Sequence, residues 1–271
     1  MSTAAEKADR FLALHAGPTP LLLGNPWDPG SAKLLVSLGF EALGTTSFGF
    51  AATLGQLDGS ASREQILANV AAIVQAVDVP VSADLENCYA DDPDGVAETV
   101  RLARELGLAG FSIEDFVRGR DDPFYDQSLA AERVVAAAEV AHQGPRHLVV
   151  TARAENYIEG RPDLADTISR LQRYQEAGAD VLFAPGVTDA GDIRAILGEV
   201  DLPVNVMIFP GVPTVAELAD IGVRRISVGP GFVLAAFGAV VEAATELRQQ
   251  GTYAWGEAAL RGMAVALPAF G

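Results

Sequence analysis

The stretch Leu106-Gly107-Leu108-Ala109-Gly110-Phe111-Ser112-Ile113-Glu114 reads as a helix end, a chain-reversing glycine and a buried strand that finishes on an acid. A glycine just past a helix supplies the left-handed backbone that turns the chain. The apolar run after it suits a strand covered on both faces. The phrase returns in Ala177-Gly178-Ala179-Asp180-Val181 and in Ile221-Gly222-Val223-Arg224-Arg225. A recurring helix–glycine–strand unit implies parallel strands with helices between them.

Working outward, eight strands are expected: Pro20–Gly24, Ala42–Thr46, Val79–Asp84, Gly110–Glu114, His147–Ala152, Val181–Ala184, Val204–Ile208 and Arg225–Val228. Helical patterns fill the gaps, near Ser31–Leu38, Ser62–Val77, Gly95–Leu106, Leu129–Ala141, Leu164–Ala177, Asp189–Leu197, Thr214–Ile221 and Phe232–Gln249. Ser62 and Gln65 fit a capping box at the start of the second of these. Any α/β protein has such junctions, and it is the number of strands that favours a closed α/β barrel. The chain has 271 residues, close to the roughly 250 of a (β/α)8 TIM barrel. The first strand runs into Leu23-Gly24-Asn25-Pro26-Trp27, which lacks the GxGxxG of a dinucleotide-binding fold. No linker divides the chain, so residues 1–271 are expected to form a single domain with an apolar helical tail over about 251–271.

A formal charge of −17 and the lack of any basic run argue against nucleic acid as a partner. The first residues carry no basic segment followed by an apolar run, and no apolar stretch is long enough to span a membrane. A cytoplasmic location with no membrane partner is therefore expected. The single cysteine, Cys88, excludes an internal disulfide, and three histidines (His15, His142 and His147) make a multi-histidine metal site unexpected. The only lysines, Lys7 and Lys33, lie on no central strand end, which removes a Schiff-base aldolase.

Chemistry in such barrels sits where strands end. Asp84, Glu86 and Glu114 fall at two neighbouring strand ends, and alternation along a strand would turn Asp84 and Glu86 to the same side. Crowded carboxylates need protons or a cation to neutralise them, and hard oxygen donors suit Mg2+ or Mn2+. Solvated loop acids are the alternative, common in a chain with 36 acidic residues. Arg153 ends another strand, either as a fork for a substrate carboxylate or phosphate or as an ion-pair partner of Glu155 or Glu114. Thr46, Ser47 and the amides near Gly49 are possible anion donors, or simply a hydroxyl-rich loop.

Read in order, Ala52–Asp58, Pro80–Ala90, Gly110–Asp115, Thr151–Glu155 and Val204–Val206 resemble the isocitrate lyase/phosphoenolpyruvate mutase family, over about Pro20 to Thr252. The resemblance implies a (β/α)8 barrel whose last helix is swapped between subunits of a homodimer or homotetramer. It implies a Mg2+ (or Mn2+) held largely through water by Asp84, Glu86 and Glu114, with a small 2-oxo-carboxylate as ligand. Thr45, Thr46, Ser47, Phe48, Asp84, Arg153 and Asn205 would contact the substrate, and Asp58 would act beside Arg153 as a base or water-positioning group. Asp58 fixing its loop is the duller reading.

The departures narrow the activity. Isocitrate and methylisocitrate lyases carry a Lys-Lys-Cys-Gly-His or Lys-Arg-Cys-Gly-His loop after the fourth strand. Here that stretch is Phe116-Val117-Arg118-Gly119-Arg120-Asp121-Asp122-Pro123, without cysteine or histidine. Cys88 replaces a usual glycine and reads as a packed side chain. The Lys, Asn and Ser of phosphoenolpyruvate mutases are also missing. The expectation is C–C bond cleavage by a lyase, decarboxylase or hydrolase of the oxaloacetate type. A P–C bond enzyme of the phosphonopyruvate type and a non-catalytic 2-oxo-acid binding protein are the alternatives. Residues 116–126 would form a cationic lid, or a surface loop without a closing role.

Overall fold

The computed structural model describes residues 2–271. Eight parallel strands run in the order β1-β8-β7-β6-β5-β4-β3-β2: β1 (Leu21–Leu23), β2 (Leu43–Gly44), β3 (Val81–Asp84), β4 (Gly110–Glu114), β5 (Val149–Arg153), β6 (Val181–Phe183), β7 (Val204–Met207) and β8 (Arg225–Ser227). A bridge between Gly24 and Leu43 closes the ring into a (β/α)8 TIM barrel. Asn25 stitches that seam, donating to the Gly44 carbonyl at 2.8 Å and accepting from the amides of Val228 and Gly229. Gly44 leaves no room for a side chain there, since a Cβ would sit 2.7 Å from Leu23 Cδ2.

The strands match the expected set with small shifts at their ends. β3 begins after Pro80, which has no N–H to give a ladder. β5 runs one residue further than expected because Arg153 pairs in register with Glu114. The helices are α1 (Ala4–Leu14), α2 (Pro29–Ser37), α3 (Ser47–Thr53), α4 (Arg63–Ala76), α5 (Pro93–Glu105), α6 (Gln127–Ala141), α7 (Leu164–Glu176), α8 (Ala190–Glu199), α9 (Val215–Asp220), α10 (Gly231–Gln250) and α11 (Gly256–Phe270). The Ser62–Gln65 capping box forms as expected, and Gly107, Gly178 and Gly222 all take positive φ. The main apolar core lies between the strand ring and the helices.

Two helices were not legible in the sequence. α1, started by a Thr3–Glu6 capping box, closes the bottom of the barrel by packing Phe11 against Leu21, Leu23, Ala109, Val149 and Val181. α3 has seven residues, too few to show a period. α10 buries only Val233 and stands away from the ring. α11 returns to lie against α2, where Lys33 Nζ donates to the Phe270 carbonyl at 3.2 Å. Among the described residues no helix is long and apolar enough to cross a membrane.

At the bottom, Asp180 before β6 joins three groups. It lies 3.0 Å from His142 Nε2 and 2.8 Å from His147 Nε2, and it accepts from the Val150 amide at 2.8 Å. The two imidazoles stack with centroids 3.9 Å apart. Burial works against the Asp180 charge, but the bonds from His142 and Val150 outweigh it and hold the carboxyl below its usual range. Its stabilisation is therefore complete above the unfolded carboxylate value of about 3.9 and fades as pH falls below it. Asp180→Ala should lower unfolding free energy by about 2–3 kcal/mol at pH 7, measured by urea denaturation, and the deficit should shrink toward pH 3.

Candidate active site

A cavity of about 240 Å³ opens at the C-terminal ends of the strands, and a second of about 150 Å³ adjoins it. Ser47, Asp58, Arg118, Arg153 and Glu155 belong to both walls. Asp84 faces the first, whereas Glu86 and Glu114 face the second.

Arg153 sits at the centre. Its Nη1 donates to Asp84 Oδ1 at 2.9 Å, its Nε and Nη2 grip Glu155 at 2.7 and 3.0 Å, and Nη2 lies 3.2 Å from Glu114 Oε2. The guanidinium carbon stands 5.4 Å from the Phe183 ring centre. Burial would depress its pKa, but Glu155, Glu114 and Asp84 hold it well above the usual arginine range. Burial pushes Glu114 well above the usual carboxylate range despite Arg153, and Glu155 is raised for the same reason. Both ion-pair partners expected of Arg153 are thus present, and Asp84 is a third.

Glu86 reaches the site in a way strand alternation did not foretell. β3 stops at Asp84, and Glu86, Cys88 and Tyr89 all have positive φ (49°, 57° and 56°) in a tight turn. Such backbone is strained for non-glycine residues and collects at functional sites. Arg133 of α6 supports the turn from beneath, bonding the carbonyls of Asn87, Ala90 and Glu114. Tyr89 donates to Glu86 Oε1 at 2.9 Å. Burial and the nearby Asp84 push Glu86 up to about 7. Cys88 is fully buried and its thiol is pushed up to about 12 by burial, so it packs and stays protonated.

Thr45, Thr46 and Ser47 of the β2–α3 junction line the cavity and also bond within the protein. Thr45 Oγ1 accepts from the Asp84 amide at 2.9 Å, and Thr46 caps α3 through the Gly49 amide at 3.2 Å. Ser47 gives both N–H and Oγ–H to Asp84 Oδ2, at 3.1 and 2.8 Å. Together with Arg153 and Ser112 they lock that carboxylate in place. Phe48 lines the cavity. Asp58 lies beside Arg118 (3.3 Å), which also reaches Glu159 at 3.0 Å. Burial and Asp84 raise the Asp58 pKa. Residues 116–126 form a hairpin in which Phe116 bridges Phe124 and Val117 N donates to Pro123 O at 2.7 Å, and its Arg118 lies along the cavity wall.

Asn205 is fully buried in the barrel wall, donating to Ser227 Oγ at 2.9 Å and leaving Oδ1 unpartnered. Two residues escaped notice in the sequence. Arg133 could have been found as a cation on the apolar stripe of Ala130, Val134, Ala137 and Ala141. Arg225 lines the cavity from inside β8, and its helix–glycine–strand context gave it no distinguishing mark.

The site fits a divalent cation by charge. Asp84, Glu114 and Glu155 pair with one guanidinium and Glu86 lines the adjoining cavity, and burial pushes Glu86, Glu114 and Glu155 all upward. Their oxygens are hard donors, as Mg2+ and Mn2+ prefer. Among the described residues the one trio of potential ligands with all donor atoms within 4.8 Å is His142, His147 and Asp180, at the other end of the barrel. Asp84, Glu86 and Glu114 are more widely spaced, which suits an ion bound partly through water. Against the expectation of no multi-histidine site, two of the three histidines thus come together with an acid.

A family model described as phosphoenolpyruvate phosphomutase matches residues 11–248. A solved lyase/mutase candidate from Burkholderia cenocepacia superposes with a TM-score of 0.94 at 47% identity, covering 97% of this chain and 95% of that one. An uncharacterized protein of Mycobacterium tuberculosis is 35% identical over 220 residues, 81% of each chain. An oxaloacetate decarboxylase of Pseudomonas fluorescens is 28% identical over 245 residues, 82% of this chain and 78% of its own.

The raised Glu86 pKa has a sign that can be measured. Between about pH 4.5 and 7 the folded protein holds a proton that the unfolded chain releases, so this group makes stability fall as pH rises. Glu86→Gln should stabilise the metal-free protein at pH 8 by about 1–3 kcal/mol and leave it unchanged at pH 4, as read by urea denaturation. The same variant should bind Mn2+ at least tenfold more weakly. A variant no more stable at pH 8 than the parent would show that Glu86 ionises freely.

Proposed function

The chain belongs to the phosphoenolpyruvate phosphomutase family, and from that premise we propose a divalent-metal-dependent enzyme acting on a small 2-oxo- or 2-hydroxy-carboxylate. The reaction is C–C bond cleavage of the oxaloacetate type, through an enolate. The observation that carries the reading is the excess of carboxylates around Arg153 at the barrel mouth. The oxaloacetate decarboxylase among the relatives supports the substrate class.

Asp84, Glu86 and Glu114 would hold the Mg2+ or Mn2+. When bound, the ion supplies Lewis acidity that stabilises charge on an enolate. The protein's own groups do the rest. Arg153 Nη1 and Nη2, which now face Asp84 and Glu114, are the donors able to exchange a protein carboxylate for a substrate carboxylate. Ser47, Thr45 and Thr46 keep Asp84 and the α3 turn in position, with Phe48 closing one side of the cavity. Asp58, its pKa raised, can hold or give a proton nearer neutrality than an ordinary carboxyl. Asn205 steadies the wall through Ser227. Arg118 on the 116–126 hairpin screens the site from water.

A cytoplasmic homodimer or homotetramer completes the proposal. α10 exposes Leu234, Phe237, Val240 and Val241, an apolar face that a second subunit would cover, with the last helix exchanged between subunits.

The test is a turnover screen on oxaloacetate, 2,3-dimethylmalate, isocitrate, methylisocitrate and phosphonopyruvate. Cleavage of a 2-oxo- or 2-hydroxy-diacid should vanish with EDTA and return with Mg2+ or Mn2+, and Glu114→Gln should lower kcat at least 100-fold. Isocitrate and methylisocitrate should give no useful rate, because no cysteine occupies the loop after β4. Activity that survives chelation, or fast glyoxylate release from isocitrate, would sink the reading.

A further inference from the structure

The interior of this barrel carries a cation that nothing in the protein neutralises. Arg225 is 5% exposed, projects inward from β8 and lines the mouth cavity. Its Nη1 donates to the fully buried Thr151 Oγ1 on β5 at 2.9 Å, and its Nε has no partner. The other buried arginines are well supplied. Arg153 has three carboxylates, Arg170 has Asp115 and Asp166, and Arg133 has three backbone carbonyls. Arg225 has one neutral hydroxyl.

The charge that bears most on Arg225 is also of like sign. Burial, and then the cation of Arg153, pull its pKa down to about 9, so it still carries its charge at neutral pH. Register ties the two together: Arg153 pairs with Phe183, Phe183 with Asn205, and Asn205 with Arg225. Two guanidiniums therefore face one cavity from β5 and β8. The first is saturated by protein carboxylates and the second is free. Barrel interiors are normally filled by branched apolar side chains at such positions. An unpaired buried charge is costly to keep, and its use is to meet a charge that arrives with the ligand.

We infer that Arg225 receives a second anionic group of the substrate, which makes the ligand a dicarboxylate and not a monocarboxylate. The inference rests on the metal-assisted 2-oxo-acid reading of the same cavity. One carboxylate and the 2-oxo group take the acidic rim around Arg153. The other carboxylate lies against Arg225, with Ser227 on the adjoining wall.

The test uses calorimetry on the Mg2+-loaded protein with two 2-oxo-acid probes, pyruvate with one carboxylate and 3,3-difluorooxaloacetate with two, its C3 also difluorinated. The parent protein should bind the diacid at least tenfold more tightly than pyruvate. Arg225→Gln should weaken the diacid at least tenfold and leave pyruvate within twofold. Its ligand-free melting temperature should equal or exceed that of the parent, since an uncompensated buried charge has gone. Arg225→Lys, which keeps the charge, should retain part of the preference, and it decides the matter if the glutamine variant does not fold. A lysine variant that treats the two probes alike, or a glutamine variant that loses both equally or neither, would overturn the role of Arg225. Equal binding of both probes by the parent would do the same and leave the metal-assisted reading standing. Failure of the parent to bind either probe would remove that reading and this inference together.

Discussion

The ion-pair network of Arg153 with Asp84, Glu114 and Glu155 is the constraint on which the barrel mouth depends. At distances of 2.7–3.2 Å and away from bulk water, each such contact is worth far more than at a surface. The three acids come from β3, β4 and the residues just beyond β5, so the network exists only if those strands pair in one register. Asp84 is aligned with Ser112, and Glu114 with Arg153. A slip of one residue would turn each of these side chains to the opposite face of the sheet.

Alternation also divides the acids at the end of β4. Glu114 points into the mouth, whereas Asp115 points outward and is consumed by Arg170 at 2.8 Å, Tyr174 at 2.6 Å and the Glu155 amide at 2.9 Å. That outer cluster anchors α7 to the strands and fixes the backbone that presents Glu155 to Arg153. Arg133 does the equivalent task for the turn carrying Glu86. Each positive-φ residue there costs on the order of 1–3 kcal/mol, and carbonyls held from below by a buried guanidinium keep the turn in place. Strain and charge crowding are thus concentrated on one rim of the barrel, and the supporting contacts lie directly underneath.

Below the rim the interior is polar, where barrel interiors in general are filled mostly by branched apolar side chains. Ser82, Ser112, Thr151, Asn205, Arg225 and Ser227 are all buried, and Ser82, Ser112, Arg225 and Ser227 line the cavity. A polar lining keeps the cavity hospitable to a charged ligand. The opposite end is sealed by apolar contact, with Phe11 of α1 packed among Leu21, Leu23 and Val149. The cavity opens at the top, where Arg118 of the hairpin lines it.

The sequence by itself determined the eight-stranded barrel, because glycine-terminated helices and short apolar strands are local signals that repeat. It also determined which acids gather at the mouth, since strand ends are where a parallel barrel places its chemistry, and that no cysteine stands in the stretch after β4. Only the tertiary structure decided how those residues are used. The saturation of Arg153 by three carboxylates, the inward turn of Ser47 onto Asp84 and the arrival of Glu86 through a left-handed turn depend on partners distant in the chain. The free charge of Arg225 is the clearest case. Its strand phrase resembles the others, and nothing local says that no acid lies opposite it across the barrel. Whether a buried charge is paired depends on what the closed ring brings near it, and that is a property of three-dimensional register.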